Sequence, residues 1–555
     1  MARVPQQRKA VTASIPSPIG GWNARDSLGA MPPTDAVQMV NWFPTPSDIQ
    51  LRQGYTKYST GITGQVNSLM NYAGSTSQKL FGASGTRIYD CTTSPAVQSV
   101  SGLNSDKFQH TNFATAGGHF LVCCNGVDPV QIYNGSYWFS MATTTTGQTI
   151  SSITHVGTTA TLTTSTAHGL VTGNQVTISG ATPSDYNGTY KITVTGTTTF
   201  TYVMTTTPAS NATVVGSYIP LGITGVDSST FINVNLFKNR LWFVEKSSIK
   251  VWYLGVDLLA GPATAIDFGG IARSGGYLQA MGTWTLDAGQ GADDYAVFVT
   301  SMGEVLVYNG TDPTSDATWA LKGVWQLGQT FSRRCFHKWA GDLLLLTQDG
   351  IVPLASALQS SRLDPRINLT DKIYYAVSQA ATQYYAEFGW QIIYYASENM
   401  LILSIPTNNG MEQYVMHTIT KAWARFTGIE AYCWVNSVDN DIHFGGNGYV
   451  AKAWNTNSDA GTNITAYGLQ AFNNFNSAGT LKRFTMSRPV LRSNGVPTVF
   501  AGVSVDFNLT DATASLTFAP PTYGTWDSAI WDMSKWGGES KVFQYWQGVN
   551  GVGYY

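Results

Sequence analysis

The chain has 555 residues, a formal net charge of -2 and 12% charged residues, so it lacks the basic footprint of a general nucleic-acid-binding protein. Its abundance of Gly, Tyr, Phe and Trp favours strands and turns over helical solenoids, and its length exceeds one ordinary core. The five cysteines include no CxxC and no Cys/His ligand spacing, which argues against a zinc site or a disulfide scaffold and favours free thiols in a chain made in a reducing cytoplasm.

Residues 1–60 are predicted to form an extended arm, because prolines recur there and periodicity is weak. Trp22, Trp42 and Phe43 favour an arm that docks on another surface, with a solvated tail as the alternative. Ala36–Asn41 is expected to form a short helical turn. The start has no apolar segment of the secretory kind, and no stretch approaches the roughly 18 apolar residues of a membrane span.

Residues 61–145 and 221–455 repeat one unit, in which an apolar strand, a Gly or Asn turn and a second strand follow each other. The clearest copy is Asp293–Gly310, with its turn at Ser301–Gly303. Further copies occupy Lys79–Asp90, His119–Trp138, Arg240–Gly255, Gly341–Ser356, Asn399–Gly428 and Asn440–Asn455. Such hairpins bury both faces only by stacking, and a closed ring leaves short, protected edges. We therefore predict an all-β fold containing a β-propeller, with the blade number left open.

Residues 146–220 are predicted to form a small β-barrel inserted into the propeller, although the strand pattern also fits a small sandwich. Thr dominates this stretch, and between Met141 and Gly225 the charged residues are Asp185 and Lys191. The predicted strands are Ile150–His155, Thr159–Thr164, Gln175–Ser179, Thr189–Val194 and Thr199–Val203. His168 stands in a predicted turn without a second ligand nearby, so we expect a structural role for it.

Two further features interrupt the second part of the propeller. The apolar spacing in Asp371–Phe388 predicts an amphipathic helix, which either covers a blade edge or contacts another subunit. The densest basic cluster is formed by Arg333, Arg334, His337 and Lys338. This cluster is a candidate rim or DNA-facing patch, and we favour a solvated rim or a subunit contact over binding to DNA phosphates.

Residues 456–555 are predicted to form a C-terminal β-rich interface domain with a Trp-rich tail. The expected strands are Lys482–Arg488, Val499–Phe507 and Ala514–Phe518. Tryptophan is enriched at the buried centres of protein interfaces. The candidate subunit interface therefore comprises Trp22, Trp42, Trp526, Trp531, Trp536 and Trp546. The alternative for the tail is a locally folded hydrophobic segment.

Acidic residues are scattered and form no catalytic motif. Those in loops and at strand ends are Glu304, Asp342, Asp349, Glu398 and Glu412. Asp at a β-turn usually accepts hydrogen bonds from its own backbone. The sequence also contains no GxSxG elbow and no phosphate-binding loop. We expect a protein that is not an enzyme and that uses no metal or cofactor.

The arm contains a run of short motifs that resembles a known opening. It comprises Gly20–Trp22, Met31–Ala36, Asn41–Pro44 and Leu51–Tyr55, which read GGW, MPPTDA, NWFP and LRQGY. This run resembles the start of tail nozzle proteins of short-tailed bacteriophages, the podovirus tail tubular protein B-like family. The chain is shorter than the larger nozzles, so their accessory domains are not implied.

A second resemblance lies in the Thr-rich insert, at Ala167–Leu170, Gly173–Val176, Tyr186–Tyr190 and Phe200–Tyr202. It is similar to a small β-barrel of phage virion proteins, which is related to a catalytic-cysteine half-domain-like module of ubiquitin-activating enzymes. No cysteine lies between Cys124 and Cys335, so the resemblance implies the fold without that activity.

Together the resemblances imply a structural component of a bacteriophage virion, made in the host cytoplasm. It would be a tail nozzle ring that assembles with copies of itself, as a hexamer, beneath a tail adaptor ring. Tail fibres or spikes would attach to it, and DNA would pass through during ejection without tight binding. The alternatives are a receptor- or carbohydrate-binding propeller of the tailspike or lectin kind, and another tail-hub or plug protein.

Overall fold

The fold is described from a computed structural model. It covers residues 11–141, 147–168, 170, 172, 174–287, 292–315, 317–358, 365–437, 439–509, 511–512, 514–516, 530 and 541–555. The chain divides into two units. The first comprises Gly20–Arg25 and Met39–Tyr467, and the second comprises the described residues of Met1–Ile19, Asp26–Gln38 and Gly468–Tyr555.

The larger unit contains a ring of antiparallel sheets, which we number as blades 1 to 7 in the order of their innermost strands. Blades 1 to 4 each have four strands. These are Ser68–Ala73, Gln78–Ser84, Arg87–Asp90 and Val97–Val100 in blade 1; Gln109–Thr115, Gly118–Cys124, Gln131–Tyr133 and Trp138–Ser140 in blade 2; Phe231–Phe237, Arg240–Glu245, Lys250–Tyr253 and Thr264–Asp267 in blade 3; and Leu278–Asp287, Ala292–Thr300, Glu304–Gly310 and Trp319–Gln326 in blade 4.

Blades 5 to 7 complete the ring. Their strands are Phe336–Trp339, Asp342–Thr347 and Gly350–Pro353 in blade 5; Gln391–Tyr395, Met400–Thr407, Gly410–His417 and Trp423–Phe426 in blade 6; and Cys433–Asn436, Ile442–Gly445, Asn447–Thr456 and Gly54–Gln65 in blade 7. The first strand of every blade contacts the first strand of the next blade, and that of blade 7 contacts that of blade 1. The described residues therefore form a closed β-propeller, and the predicted fold class is confirmed.

The hairpins follow from the local sequence pattern. In blade 4, Val299 pairs with Val305 across the predicted turn at Ser301–Gly303. Gly303 has a φ of +84°, in the left-handed region that favours glycine, and a side chain there would collide with the backbone of Gly328. The strands Ala292–Thr300 and Glu304–Gly310 bury apolar side chains on both faces because neighbouring blades cover them.

The ring is closed by a strand from the start of the chain. Gly54–Gln65 pairs antiparallel with Asn447–Thr456 and supplies the outer strand of blade 7. The expected boundary of the arm at residue 60 thus falls inside a propeller strand. Sequence periodicity does not reveal this pairing, because Gly54–Gln65 alternates irregularly and its partner lies at the other end of the propeller sequence.

Two other segments of the predicted arm are extended. Asp35–Val40 is a β-strand, with Val40 paired parallel to Arg425 of blade 6, so the predicted helical turn at Ala36–Asn41 is wrong. Pairing with a distant strand outweighs the weak local helical preference of this segment. Trp42–Pro44 and Ile49–Leu51 form a short antiparallel pair.

A closed six-stranded barrel lies between blades 2 and 3 in the sequence. Its strands are Gln148–Val156, Thr159–Thr164, Gln175–Thr182, Gly188–Val194, Thr199–Val203 and Val214–Leu221. Inward residues such as Leu162, Val176 and Phe200 are fully buried, whereas the alternate threonines face outward. The last strand was absent from the sequence prediction. A short parallel pair, Ile223–Thr224 with Gly261–Pro262, follows the barrel.

Helices are few among the described residues. Leu354–Ala357 follows blade 5, and Tyr374–Tyr384 forms the main helix within the predicted segment Asp371–Phe388. Single 3-10 turns occupy Ser184–Tyr186, Ser228–Thr230, Pro365–Ile367, Asp371–Ile373 and Ala396–Glu398. None of the helices in the described ranges is long and apolar enough to cross a bilayer.

The second unit is also β-rich. Lys482–Ser487 pairs with Gln547–Gly553, Val490–Ser493 with Lys541–Gln544, and Val499–Ala501 with Ala514–Leu516. Its small apolar cluster centres on Phe543, with Leu491, Val499 and Ala501 packed around it. The remaining strands assigned along the chain are Gly21–Trp22 and Tyr467–Gln470.

Candidate functional site

The inner strands of the propeller enclose an axial channel, and two of the sequence-predicted basic residues, Arg333 and Arg334, lie at one end of it. We call this end the mouth; the inner strands begin there, and it includes Asn67, Ser68, Phe108, His110, Arg333, Arg334 and Gln391. Arg333 and Arg334 immediately precede the first strand of blade 5, at Phe336–Trp339. They lie beside the axis and not on an outer loop because they directly precede this innermost strand.

Arg334 crosses the channel. Its Nη2 donates to the carbonyl of Asn67 at 2.9 Å, to the Ser68 hydroxyl at 3.0 Å and to the carbonyl of Phe108 at 3.4 Å. These acceptors belong to blades 1 and 2, which lie opposite blade 5 in the ring. The guanidinium also stacks on the Phe388 ring, with 4.7 Å between its central carbon and the ring centroid. The side chain therefore closes the mouth and connects opposite sides of the propeller.

Arg333 also reaches toward blade 2. Its Nη1 donates to the carbonyl of Asn125 at 2.9 Å, and its own carbonyl accepts a weaker bond from Asn233 Nδ2 at 3.4 Å. Burial lowers the pKa of both guanidinium groups, of Arg333 and of Arg334, because it disfavours the charged form. Neither guanidinium has a carboxylate within ion-pair distance in the described part of the chain.

The four residues of the predicted basic cluster do not form one exposed patch. His337 Nε2 accepts a hydrogen bond from the backbone N–H of Tyr394 at 3.0 Å, and burial lowers the pKa of His337 to about 4. Lys338 is exposed. Only Arg333 and Arg334 are brought together, at the mouth, and whether any of the four contacts DNA stays a prediction.

Sequence reasoning missed His110, which lies on the innermost strand of blade 2. Burial, together with the charge of Arg334, lowers the pKa of His110 to about 4. Lys107, three residues before His110, places its ammonium 5.1 Å from the centroid of the Phe388 ring. No sequence motif predicts that His110 and Lys107 lie near Arg334, because blades 2 and 5 meet only in the folded ring.

Side-chain amides join the innermost strands of adjacent blades, both at the mouth, where Gln391 lies, and further along the channel. Each donates to a backbone carbonyl on an adjacent blade, which satisfies carbonyls that the short inner strands leave unpaired. The bonds run from Asn71 to Asn436 at 3.1 Å, from Asn112 to Asn71 at 2.9 Å, from Asn235 to Met281 at 3.0 Å, and from Gln391 to Trp434 at 2.8 Å. The channel is therefore polar, and its wall is held by neutral groups.

The opening motifs at the start of the chain help to close the ring of blades. Arg52 has a fully buried side chain that donates to both carboxylate oxygens of Asp459, at 2.8 and 2.6 Å. Its Nε donates to Asn41 Oδ1 at 2.9 Å, and its Nη2 also donates to the carbonyl of Thr427 at 2.8 Å. We call Asn41, Arg52, Thr427 and Asp459 the closure clasp.

The glycines of these motifs allow the close approach that the clasp requires. A Cβ on Gly54 would overlap the carbonyl oxygen of Ser458, which adjoins Asp459. Gly21 has a φ of +77°, and a Cβ there would lie 2.6 Å from the carbonyl oxygen of Trp423. Both glycines thus lie where the start of the chain touches the last two blades.

The tryptophans predicted as an interface have different environments. Trp22 packs edge-on against Tyr414, with 5.0 Å between ring centroids, and Trp42 is half-buried on a strand that pairs with Leu51. In the second unit, Trp546 is 49% exposed and stacks with the Arg488 guanidinium at 5.1 Å. Trp526, Trp531 and Trp536 lie outside the described residues. The interface role of these tryptophans stays a prediction.

Most of the scattered carboxylates considered from the sequence accept structural hydrogen bonds. Glu304 accepts from the backbone N–H groups of Arg273 and Ser274, at 2.8 and 3.0 Å. Asp342 accepts from the N–H groups of Leu343 and Ala355, and burial raises the pKa of Asp342. Within the described ranges no three His, Cys, Asp or Glu side chains are grouped as metal ligands.

His168 has the structural role expected of it. Its Nδ1 accepts the backbone N–H of Leu170 at 2.9 Å, and its Nε2 lies 3.1 Å from the carbonyl of Gly196. These bonds tie a turn of the barrel to the neighbouring strand connection. The five cysteines are buried and free, and burial raises the pKa of Cys91, Cys335 and Cys433 to about 12, so their thiols remain protonated.

Comparisons with known proteins add little beyond the fold. No model of a known protein family matches the chain, and no curated protein matches it. Among solved structures, Sqt1 from Saccharomyces cerevisiae is 10% identical, with a TM-score of 0.35 over 72% of this chain and 98% of that one. The dihydro-heme d1 dehydrogenase NirN is 11% identical, with a TM-score of 0.32 over 74% of this chain and 75% of that one.

A putative 6-phosphogluconolactonase from Bacteroides uniformis is 10% identical, with a TM-score of 0.27 over 61% of this chain and 88% of that one. Similarity this distant carries no argument about activity, substrate or partners. The assignment of the propeller rests on the strand pairing within this chain.

Proposed function

We propose that this chain is a structural component of the tail of a short-tailed bacteriophage. It would act as a subunit of the nozzle ring, which forms the distal exit channel for DNA and carries the fibres or spikes. The observation that supports this proposal most is the coincidence of the family-like opening motifs with the residues that close the propeller.

The three best-defined motifs fall on that closure. Gly21 and Trp22 lie against blade 6, Asn41 and Arg52 belong to the closure clasp, and Gly54 begins the outer strand of blade 7. Positions that require a glycine or a buried ion pair accept few residue types. The resemblance is therefore concentrated at positions where a shared fold would impose it, which favours a common architecture over a chance match.

The position of Arg334 indicates how such a protein would accommodate DNA. Because this side chain crosses the channel, the axis of one propeller is not an open conduit. A DNA path would have to be enclosed by several copies arranged round a common axis. Ring assembly of this kind requires a heterologous interface, in which one face of each copy meets a different face of the next.

Low charge suits this role. A strongly basic wall would bind the duplex by releasing its counterions, and each neutralised phosphate would strengthen that binding. The chain carries 31 basic and 33 acidic residues, so copies in a ring would not add up to a strongly basic lumen. DNA could then pass without tight binding.

The test is electron microscopy of the purified full chain and of virions that contain it. We expect rings of identical copies, six by the family resemblance, and matching density at the distal end of the tail. A protein that stays monomeric at high concentration and is absent from virion density would refute the proposal. Glycan binding or polysaccharide cleavage by the isolated chain would favour the carbohydrate-binding alternative.

A further inference from the structure

The mouth of the axial channel holds two neighbouring guanidinium groups, and neither forms an ion pair with a described residue. Arg333, Arg334 and Lys107 all lie near the side of the mouth formed by blades 1 and 2, where His110 is neutral because its pKa is lowered to about 4. Buried charges in proteins are normally paired, because removing an ion from water is costly. In the described part of the chain, neither arginine forms an ion pair.

Arg333 has hydrogen-bond donors that no described residue accepts. Its guanidinium has five N–H groups, and the one side-chain hydrogen bond that it forms with described residues is that from Nη1 to Asn125. The residue is half-buried, so bulk water solvates its remaining N–H groups only in part. A planar guanidinium with N–H groups that no described residue accepts is well suited to an oxyanion.

Arg334 is held rigidly beside it. Three acceptors on the opposite side of the channel share its Nη2, Gln391 Oε1 lies 3.5 Å from its Nη1, and Phe388 covers its face. This side chain contributes a fixed positive charge whose position does not depend on a ligand. A site built on it would be preorganised, which reduces the entropy that binding costs.

The nearby carboxylates do not neutralise the mouth at contact distance, because neutral donors hold them. Asp106 accepts from Asn67 Nδ2 at 2.9 Å and from the backbone N–H of Gly85 at 2.6 Å. Asp128 accepts from the side-chain amides of Asn104 and Asn125, both at 2.7 Å. Neither carboxylate forms an ion pair with a guanidinium group among the described residues, although the charge of Asp106 partly offsets the lowering of the pKa of Arg334.

We propose that the mouth binds a compact oxyanion, namely inorganic phosphate or the phosphate group of a small molecule. Arg333 would donate to the anion, and Arg334 would supply fixed charge. Lys107 would strengthen the local positive potential, whereas His110, with its pKa lowered to about 4, would be neutral and offer a ring nitrogen as a hydrogen-bonding group. A compact anion fits this place better than a nucleic-acid backbone, because both guanidinium groups are largely enclosed by the ring. The site does not depend on the proposed tail function.

The experiment uses the full chain and inorganic phosphate, with binding measured by calorimetry and by the rise in melting temperature at constant ionic strength. We expect saturable binding that Arg333→Gln weakens by about tenfold or more. Arg425→Gln is the matched control, because Arg425 pairs with Glu412 on blade 6, away from the mouth, and should leave binding unchanged. Melting curves and circular dichroism of each variant check that it is folded.

Arg333→Lys provides a second variant if Arg333→Gln fails to fold. It keeps the charge but offers fewer donors in a different geometry, so binding should be weaker than in the natural chain and stronger than in Arg333→Gln. The proposal fails if phosphate does not bind, or if Arg333→Gln and Arg333→Lys bind it as well as the natural chain. Binding of a DNA duplex without binding of phosphate would also overturn it, and glycerol phosphate distinguishes an ester from the free ion.

Discussion

The guanidinium of Arg52 donates to both carboxylate oxygens of Asp459, although the two residues are 407 positions apart in the chain. Arg52 precedes the strand that completes blade 7, and Asp459 follows the strand with which it pairs. The ion pair therefore joins the two ends of the propeller sequence. Because the Arg52 side chain is fully buried, the pair must be complete to be tolerated, since an isolated buried charge is strongly destabilising.

Replacing Arg52 should open this closure. We expect Arg52→Leu to lower the free energy of unfolding by about 3–5 kcal/mol, because it leaves Asp459 without its partner. Chemical denaturation followed by circular dichroism measures the change. Arg425→Leu is the control, since the Arg425–Glu412 pair is partly exposed and its loss should cost about 1 kcal/mol or less. Equal losses in the two variants would contradict the clasp.

Gly54→Ala tests the same closure by crowding. The added methyl would overlap the carbonyl oxygen of Ser458, so the strand Gly54–Gln65 would have to shift. Overpacking of this kind typically costs about 1–3 kcal/mol. Gly270→Ala is the matched control, because nothing lies within reach of a methyl there. Thermal melting of both variants measures the effect, and an unchanged melting temperature for Gly54→Ala would show that the strand has room to move.

Arg334 should stabilise the ring through its bonds across the channel. We expect Arg334→Met to keep much of the stacking on Phe388 but to lose the bonds to Asn67 and Ser68. A hydrogen bond that involves a charged group contributes about 1.5–3 kcal/mol, so the free energy of unfolding should fall by about that amount. Urea denaturation measures it. Lys338→Met, at an exposed position nearby, should be close to neutral; a neutral Arg334→Met would instead show that the crossing adds no stability.

The chain should lose stability as the pH falls from about 6.5 to about 4. His443 is buried, neither of its ring nitrogens has a hydrogen-bond partner among the described residues, and burial lowers its pKa to about 4. Above the pKa of histidine in the unfolded chain, about 6.5, His443 is neutral in both the folded and the unfolded state, so its contribution to the free energy of unfolding does not vary with pH. Between about pH 6.5 and about pH 4, His443 is protonated in the unfolded chain but stays neutral in the folded chain. The free energy of unfolding therefore falls by up to about 1.4 kcal/mol per pH unit.

His443→Phe should make this dependence shallower, because phenylalanine fills a similar space beside Tyr58 and takes up no proton. His110 and His337, whose pKa values burial also lowers to about 4, contribute the rest of the slope. Urea midpoints measured across the pH range give the slope for both proteins. His119→Phe makes the same replacement at a histidine that is not fully buried and serves as the comparison variant. Identical slopes for the natural chain and His443→Phe would mean that other groups cause the acid sensitivity.

The strand pattern of this protein could be predicted from its sequence because each hairpin is specified locally. In Asp293–Gly310, alternating apolar and β-branched residues flank a turn that requires glycine, and the strands Thr159–Thr164 and Thr199–Val203 were predicted at their observed bounds. Those signals depend on neighbours a few residues apart, so they do not need the tertiary structure. They determined the all-β class, the repeated hairpins and the inserted barrel.

The sites, in contrast, depend on segments that are far apart in sequence. Arg334 and Ser68 are 266 positions apart, and no local pattern relates them; only ring closure places them on opposite sides of one channel. For the same reason the sequence indicated an exposed basic cluster where the structure has a buried crossing, and an arm where it has the last strand of blade 7. Local alternation determined which residues form strands, whereas the geometry of closing the ring decided which of them meet, because that choice depends on packing between distant blades.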